Sequence, residues 1–332
     1  MANYTGIQGQ NILIVSSDPA NPTEGQIWYN TTSNLLKGYA VANVNAWASG
    51  GNLNLARGQF GATGTQSAAI AAGGETPTTP PSFNTNATEL YNGTSWTTSP
   101  GTLPSAIDNN QLFGTQTAAI SAGADTSPIA ITSSWNGSAW TATGSLNTGR
   151  YTSGAGGTQT AGLYFGGNTN PGLSAATETF NGSSWTSVSS MNTARLELTG
   201  CGIQTSAIAA GGDFPSPPAQ TTVESWNGTS WTTITSMNTA RKVAASAGAS
   251  NTSALVFGGF APPGSTNTTA TELWDGTSWT TNPTGLATAR RTLAGSGTQT
   301  SALASGGVTT TQVANTEEWT GQAVQVRTIT TS

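Results

Sequence analysis

Five near-copies of one short phrase constrain this chain more than any other feature: Tyr91-Asn-Gly-Thr-Ser-Trp96, Trp135-Asn-Gly-Ser-Ala-Trp140, Phe180-Asn-Gly-Ser-Ser-Trp185, Trp226-Asn-Gly-Thr-Ser-Trp231 and Trp274-Asp-Gly-Thr-Ser-Trp279. Their closing tryptophans follow one another after 44, 45, 46 and 48 residues. Asn-Gly or Asp-Gly between aromatic-bearing segments is a strong hairpin signal, because both turn residues tolerate positive φ and the aromatics can pair across the strands. A period of this length points to a propeller or a solenoid.

Upstream of each phrase lies a short apolar run ending in Gly73-Gly74, Gly166-Gly167, Gly211-Gly212, Gly258-Gly259 or Gly306-Gly307, with Gly123-Ala124 in the second unit. Ten residues before the last position of each pair stands a turn such as Gly64-Thr-Gln-Ser or Gly157-Thr-Gln-Thr, which makes six units. Small residues crowd the first strand of each, as in Ala244-Ala-Ser-Ala-Gly248. Innermost propeller strands converge on an axis and leave room only for such side chains. The order becomes inner strand, second strand ending in Gly-Gly, third strand ending in Asn-Gly, and an outer strand starting at tryptophan.

Met237-Asn-Thr-Ala-Arg241, Ala254-Leu-Val-Phe-Gly-Gly259, Thr271-Glu-Leu-Trp274 and Trp279 together resemble a kelch repeat, and the resemblance runs over about residues 48 to 326. It implies an all-β propeller of six four-stranded blades, with seven as the alternative. Two departures are the short turn before the outer strand and the second unit's missing double glycine. Arg57, Arg150, Arg195, Arg241 and Arg290 share one repeat position, and Glu89, Glu178, Glu224, Glu272 and Glu317 share another. In the second unit these positions hold Ile107 and Ser133, so both charges vanish together. Each Arg is therefore expected to pair with a Glu, since a stranded buried charge costs on the order of 3–5 kcal/mol. Five equivalent copies point to structure rather than to catalysis or calcium binding.

Charged residues form 7% of the chain, the net charge is −5, there is no histidine, and Cys201 is the one cysteine. Nine scattered cations cannot neutralise a track of phosphates, which argues against nucleic acid and against an anionic membrane surface. The missing histidines remove zinc sites and Ser-His-Asp or Cys-His chemistry; no metal and no cofactor is expected. No run approaches a membrane span, and Met1-Ala-Asn-Tyr-Thr lacks a basic export-signal region. The Asn-Gly-Ser/Thr sequons read as turn chemistry, because Asp275 keeps the turn while abolishing the sequon.

Length variation concentrates between the second and third strands. From the Gly-Gly to the Glu position the spacing runs 15, 9, 11, 12, 13 and 10 residues, while Glu to Trp stays at 7 in the first five units. Ten of the fifteen prolines fall there: Pro77, Pro80, Pro81, Pro128, Pro171, Pro215, Pro217, Pro218, Pro262 and Pro263. Proline stiffens such loops and stops them pairing as strands. Variable loops on a rigid scaffold are where binding residues concentrate. Phe83, Phe214 and Phe260 are the aromatic candidates, against the plainer reading that these loops pack on one another. Asp125 and Asp213 are the free loop acids that a carboxylate-pair glycosidase would need.

Residues 1–47 break the repeat. Gln26–Asn30 and Leu35–Tyr39 read as a hairpin, and Gly-Gln-Ile-Trp-Tyr-Asn30 followed by Leu36-Lys37 and Trp47 resembles a segment of phage tail-fibre and other virion structural proteins. Trp47 precedes Arg57 by ten residues, as Trp140, Trp185 and Trp231 precede their arginines, so its strand either helps close the ring or packs as a collar. Glu317-Glu-Trp-Thr-Gly321 and the strand at Val324 are expected to complete the sixth unit, giving domains of 1–47 and 48–332. The resemblances imply a non-enzymatic virion protein, as fibre, decoration or host-recognition module. Its expected partners are other virion proteins, a host surface glycan or protein, and further copies of itself on the particle. The rivals are a propeller glycosidase or depolymerase and a bacterial surface adhesin or scaffold.

Overall fold

The computed structural model describes residues 12–20, 26–42, 45–77, 83–126, 129–170, 172–214, 219–262 and 266–329. The described chain is all β, without a helix, and forms two compact units, one of 46–319 and one drawn from 1–45 and 320–332.

The larger unit is a propeller-like succession of four-stranded sheets. Five are antiparallel with their strands in sequence order, starting with Gly61–Thr65, Ala68–Ala72, Thr88–Tyr91 and Trp96–Ser99; in the fifth, Phe260–Ala261 and Thr266–Asn267 pair with each other between its second and third strands, so Pro262 does not keep that loop from pairing. Their equivalents begin at Gln111, Gly154, Thr199 and Ala245. The sixth joins Ala294–Thr298, Ser301–Ser305 and Thr316–Thr320 to Ala46–Ser49. Second strands are apolar without alternation, and the last four residues of each are buried. A strand covered on both faces has that pattern. The first strand of each sheet packs on the first strand of the next, and Ala294–Thr298 packs on Gly61–Thr65. Some positions there admit nothing larger than glycine: a Cβ on Gly156 would sit 2.7 Å from the Gly202 carbonyl oxygen.

The outer strand of the sixth sheet is therefore supplied by Trp47, not by the segment around Val324. Ala323–Thr328 instead pairs with Leu35–Ala42 in the smaller unit, whose sheet also holds Leu13–Val15 and Ile27–Asn30. A boundary after residue 47 cuts through a strand, and the propeller-like unit stops near residue 319 rather than 332. The physical reason is the tryptophan. Trp47 Nε1 donates to Thr271 Oγ1 at 2.9 Å in the fifth sheet. Trp96, Trp140, Trp185 and Trp231 reach Thr316, Thr88, Thr132 and Thr177 of their preceding sheets at 2.9–3.1 Å. A valine at 324 has no such donor. Trp279 meets Val223 at the corresponding position and turns to the Thr235 carbonyl instead, at 3.1 Å.

A second staple comes from the tight turns. Gln116 Nε2 donates to the carbonyls of Ala69 and Tyr91 in the preceding sheet, and Gln159, Gln204 and Gln299 repeat this. Gln66 does the same to Ala302 and Trp319 of the sixth sheet, at 3.1 and 2.7 Å.

In the Asn-Gly turns the asparagine does not take up the positive φ that it tolerates. Only the glycine is left-handed, with φ of 91–97°, and four residues separate the paired aromatics. The Asn side-chain oxygen accepts the N–H groups two and three residues on, as Asn181 Oδ1 does from Ser183 and Ser184 at 3.0 and 2.9 Å. Only an acceptor is needed, so Asp275 serves equally, and those backbone bonds hold its carboxyl well below the usual range.

Each repeat arginine is buried beside its glutamate. Arg150 and Arg290 lie 2.5 and 2.8 Å from Glu178 and Glu317, Arg195 lies 3.4 Å from Glu224, and Arg57 and Arg241 contact Glu89 and Glu272. Burial lowers the Arg195 pKa to about 10 even with Glu224 opposing it. The glutamate also accepts backbone N–H groups from the strand-to-strand connection: Asn54, Asn147, Asn192, Asn238 and Ala287, at 2.6–2.8 Å. In the second unit that donor position is Pro104, which has no N–H. Arginine, glutamate and donor are lost as a set, and Ile107 and Ser133 lie buried in their place.

The Gly-Gly pairs are explained by a further bond. The second glycine, at φ of 98–106°, donates its N–H across to the connection that follows: Gly74 to Ile107, Gly167 to Arg195, Gly212 to Arg241, Gly259 to Arg290 and Gly307 to Arg57, at 2.7–3.0 Å. Where Ala124 replaces it, the residue is not left-handed, and the Arg150 carbonyl accepts the Tyr164 hydroxyl at 3.1 Å.

In the smaller unit Asp18 gathers the N-terminal motif. Its carboxylate accepts Trp28 Nε1 at 3.0 Å and Asn30 Nδ2 at 2.7 Å and pairs with Lys37 at 2.7 Å, which holds its pKa down to about 2.

Glu178→Gln is expected to lower stability by about 3–5 kcal/mol, because it strands the Arg150 guanidinium. The double change Arg150→Ile with Glu178→Ser, copying the second unit, should recover a substantial part of that loss in denaturant melts. A single variant as stable as the wild type would refute the pairing argument.

Candidate functional site

Each connection runs from its buried arginine position (Ile107 in the second unit) into the first strand through three further residues. The second of these is left-handed in every unit: Gln59 (φ 57°), Asn109 (55°), Thr152 (50°), Glu197 (56°), Val243 (46°) and Thr292 (49°). Positive φ costs a β-branched residue roughly 1–3 kcal/mol, so three of the six are outliers that the surroundings must enforce. The enforcing bonds link the same residues to each other. Asn109 N–H donates to the Gln59 carbonyl at 2.6 Å, Glu197 to Thr152, Val243 to Glu197 and Thr292 to Val243 at 2.9 Å, and Gln59 to Thr292 at 3.0 Å. These five bonds join the six residues as a garland at the mouth of a narrow channel lined by the first strands of all six sheets.

A third position joins the garland. The residue after each glycine pair meets the residue after the arginine position, giving Gly58 with Glu75, Tyr151 with Asn168, Leu196 with Asp213, Lys242 with Phe260 and Arg291 with Val308. Asp125 N–H reaches the Asp108 carbonyl at 3.2 Å in the second unit. The backbone is the same six times over, and the side chains are not. Repeat sequence thus surrounds three positions per unit whose combination of side chains differs from unit to unit.

Charge collects at this end. Apart from the five Arg-Glu pairs, the described residues of the larger unit carry Glu75, Asp108, Asp125, Glu197, Asp213, Asp275 and Glu318 against Lys242 and Arg291. All but Asp275 and Glu318 occupy the three variable positions, which identifies the channel mouth as the chemically distinctive end. Lys242 pairs with Asp213 at 2.5 Å and Glu197 at 2.9 Å; burial opposes its charge, yet the two carboxylates raise its pKa. Burial, with Asp125 and Glu75 nearby, pushes the Asp108 carboxyl up to about 6, although Asn84 and Asn109 donate to it at 3.0 and 3.1 Å. Burial and then Asp125 raise the Tyr151 hydroxyl.

On one side of the mouth lies a recess of about 700 Å³ lined by Gln59, Glu75, Glu197, Lys242, Phe260 and Arg291 among others. Of the loop candidates, Phe260 lines it, and Asp213 reaches it through Lys242. Phe83 is 41% exposed and Phe214 half-buried, and neither lines this recess. Asp125 stands with Asp108 and Tyr151 whereas Asp213 stands with Lys242, so the two acids belong to different clusters. Pro77 and Pro262 are described; the other eight loop prolines lie outside the described residues. Cys201 is buried on an inner strand, where burial raises its thiol to about 12 and leaves it unreactive. The garland carried no sequence signal, since left-handed Gln, Thr, Glu and Val look ordinary in a row of letters. No protein-family model and no curated protein matches this chain.

Asp108 sets a pH dependence. Its folded pKa of about 6 exceeds the ordinary 3.8, so the fold prefers the protonated acid. That contribution is complete below about pH 4 and is lost as pH rises through about 6. The melting temperature of Asp108→Asn should therefore gain on that of the wild type between pH 4 and 7. A constant difference across that range would show that Asp108 titrates normally.

Proposed function

We propose that the larger unit closes as a six-bladed, kelch-like β-propeller and that the protein is a non-enzymatic phage virion component which binds through the channel-mouth end. Closure is supported by the packing of Ala294–Thr298 on Gly61–Thr65, by Gln66 reaching Ala302 and Trp319, and by a sixth outer strand drawn from residues 46–49. The observation that carries the binding reading is the contrast at the mouth. A left-handed backbone is held at one position six times, while the combination of three side chains around it differs from unit to unit. Fixed geometry with free chemistry suits recognition, whereas a repeat used only for stability has no need to diversify there.

The virion assignment rests on the N-terminal motif and its resemblance to tail-fibre segments, now with Asp18, Trp28, Asn30 and Lys37 joined in one network. Its partners would be other virion proteins on that side of its role and a host surface glycan or protein on the other. Mass spectrometry of purified particles should find this chain at stoichiometric abundance, and antibodies against the 46–319 unit should block adsorption to the host. Particles that lack the chain would overturn the reading.

A further inference from the structure

Arg291 differs from every other cation of the larger unit. Among the described residues, Arg57, Arg150, Arg195, Arg241, Lys242 and Arg290 all have a carboxylate partner, and Arg291 has none. It is not loosely held. Its Nη1 donates to Asn267 Oδ1 at 3.1 Å, and its guanidinium lies 5.6 Å from the Phe260 ring centroid. Asn267 is fixed in turn, donating to the carbonyls of Val308 and Thr309 at 2.9 Å. An uncompensated, half-buried guanidinium, stacked and oriented in a recess, is preorganised to receive a carboxylate through its planar fork.

The rest of the recess limits what that carboxylate can belong to. Its volume of about 700 Å³ suits a small ligand or a few residues of a polymer. Glu75, Thr310 and Gln312 offer carboxylate, hydroxyl and amide groups that match sugar hydroxyls, Gln59 being held between Glu75 and Asn109, while Val243, Phe260 and Val308 supply apolar wall. Glu75 lies in the same recess and Asp108 and Asp125 belong to the same acidic side of the mouth, with Lys242 already neutralised. A dense polyanion would be repelled within a Debye length of about 8 Å. We infer that the recess binds a saccharide unit carrying one carboxylate within an otherwise neutral glycan, with the carboxylate on Arg291. The inference rests on the channel-mouth end being the binding face.

The test titrates the full chain with four probes: a neutral oligosaccharide bearing one glucuronate residue, the same oligosaccharide with glucose there, polygalacturonate, and an N-acetylated tripeptide with a free C-terminus. The glucuronate compound should bind at least about tenfold more tightly than its glucose counterpart, a difference of about 1.4 kcal/mol. Arg291→Gln should erase that preference with the melting temperature unchanged. Arg291→Lys, which keeps the charge but not the fork, should retain part of it, so a misfolded Gln variant still leaves a readout. Equal affinity for both oligosaccharides, no binding of either, an unaffected Gln variant, or tighter binding of polygalacturonate or the tripeptide would overturn the assignment. Particles lacking the chain would defeat the virion reading and leave these titrations standing; a virion protein that ignores all four probes would defeat this assignment alone.

Discussion

A guanidinium removed from water must find its compensation inside the protein, and most of the larger unit is arranged around meeting that demand five times. The arginine sits on the connection between sheets, takes carbonyls near the end of its second strand or beside the third, and meets a carboxylate on the third strand. Three separate pieces of chain are thereby fixed in one geometry. The carboxylate then has capacity left for the connection's own N–H groups, which would otherwise be buried without partners. A cluster so interdependent is kept or lost whole, as the second unit shows by discarding arginine, glutamate and N–H donor at once.

With the connection pinned by that cluster, the next residues have little freedom, and this is how a left-handed Val243 or Thr292 can persist. Each garland bond contributes about 0.5–1.5 kcal/mol, comparable with the strain it holds. The backbone at the mouth is therefore decided by groups behind it, not by the side chains that face the opening. The same logic applies further out. Trp-to-Thr and Gln-to-carbonyl staples bind neighbouring sheets through positions that repeat, and none of these staples uses a side chain of the mouth.

Much of this was legible in the letters because it repeats. Spacing exposed the units, their four strands, and the Arg and Glu positions, since a buried ion pair tolerates no drift in register. Trp47 was readable too: its ten-residue distance to Arg57 matches three of the other units, and the weaker signal at Val324 misled only because the chain there is also strand-forming. The form of the Asn-Gly turn was not readable, since a two-residue and a four-residue turn use the same pair, and only the acceptor role explains why Asp275 is tolerated. The recess was half visible. Phe260 stood out as an aromatic on a variable loop, while Arg291 was hidden beside Arg290, where two adjacent arginines look alike although one is buried in its pair and the other faces the opening.

That adjacency carries the last step. Arg290 and Arg291 are neighbours in sequence and opposite in circumstance: the first is paired with Glu317 within the repeat, and the second, among the described residues, is a cation without a carboxylate in a protein that has very few charges to spare. In the equivalent position the other units hold Gly58, Asp108, Tyr151, Leu196 and Lys242, so the fold does not require a cation there. Lys242 shows how the protein treats a charge it intends to silence, placing two acids within 3 Å. Arg291 receives an aromatic face and a neutral amide instead, which orient a guanidinium without cancelling it. A group positioned but not neutralised is defined by what has yet to arrive.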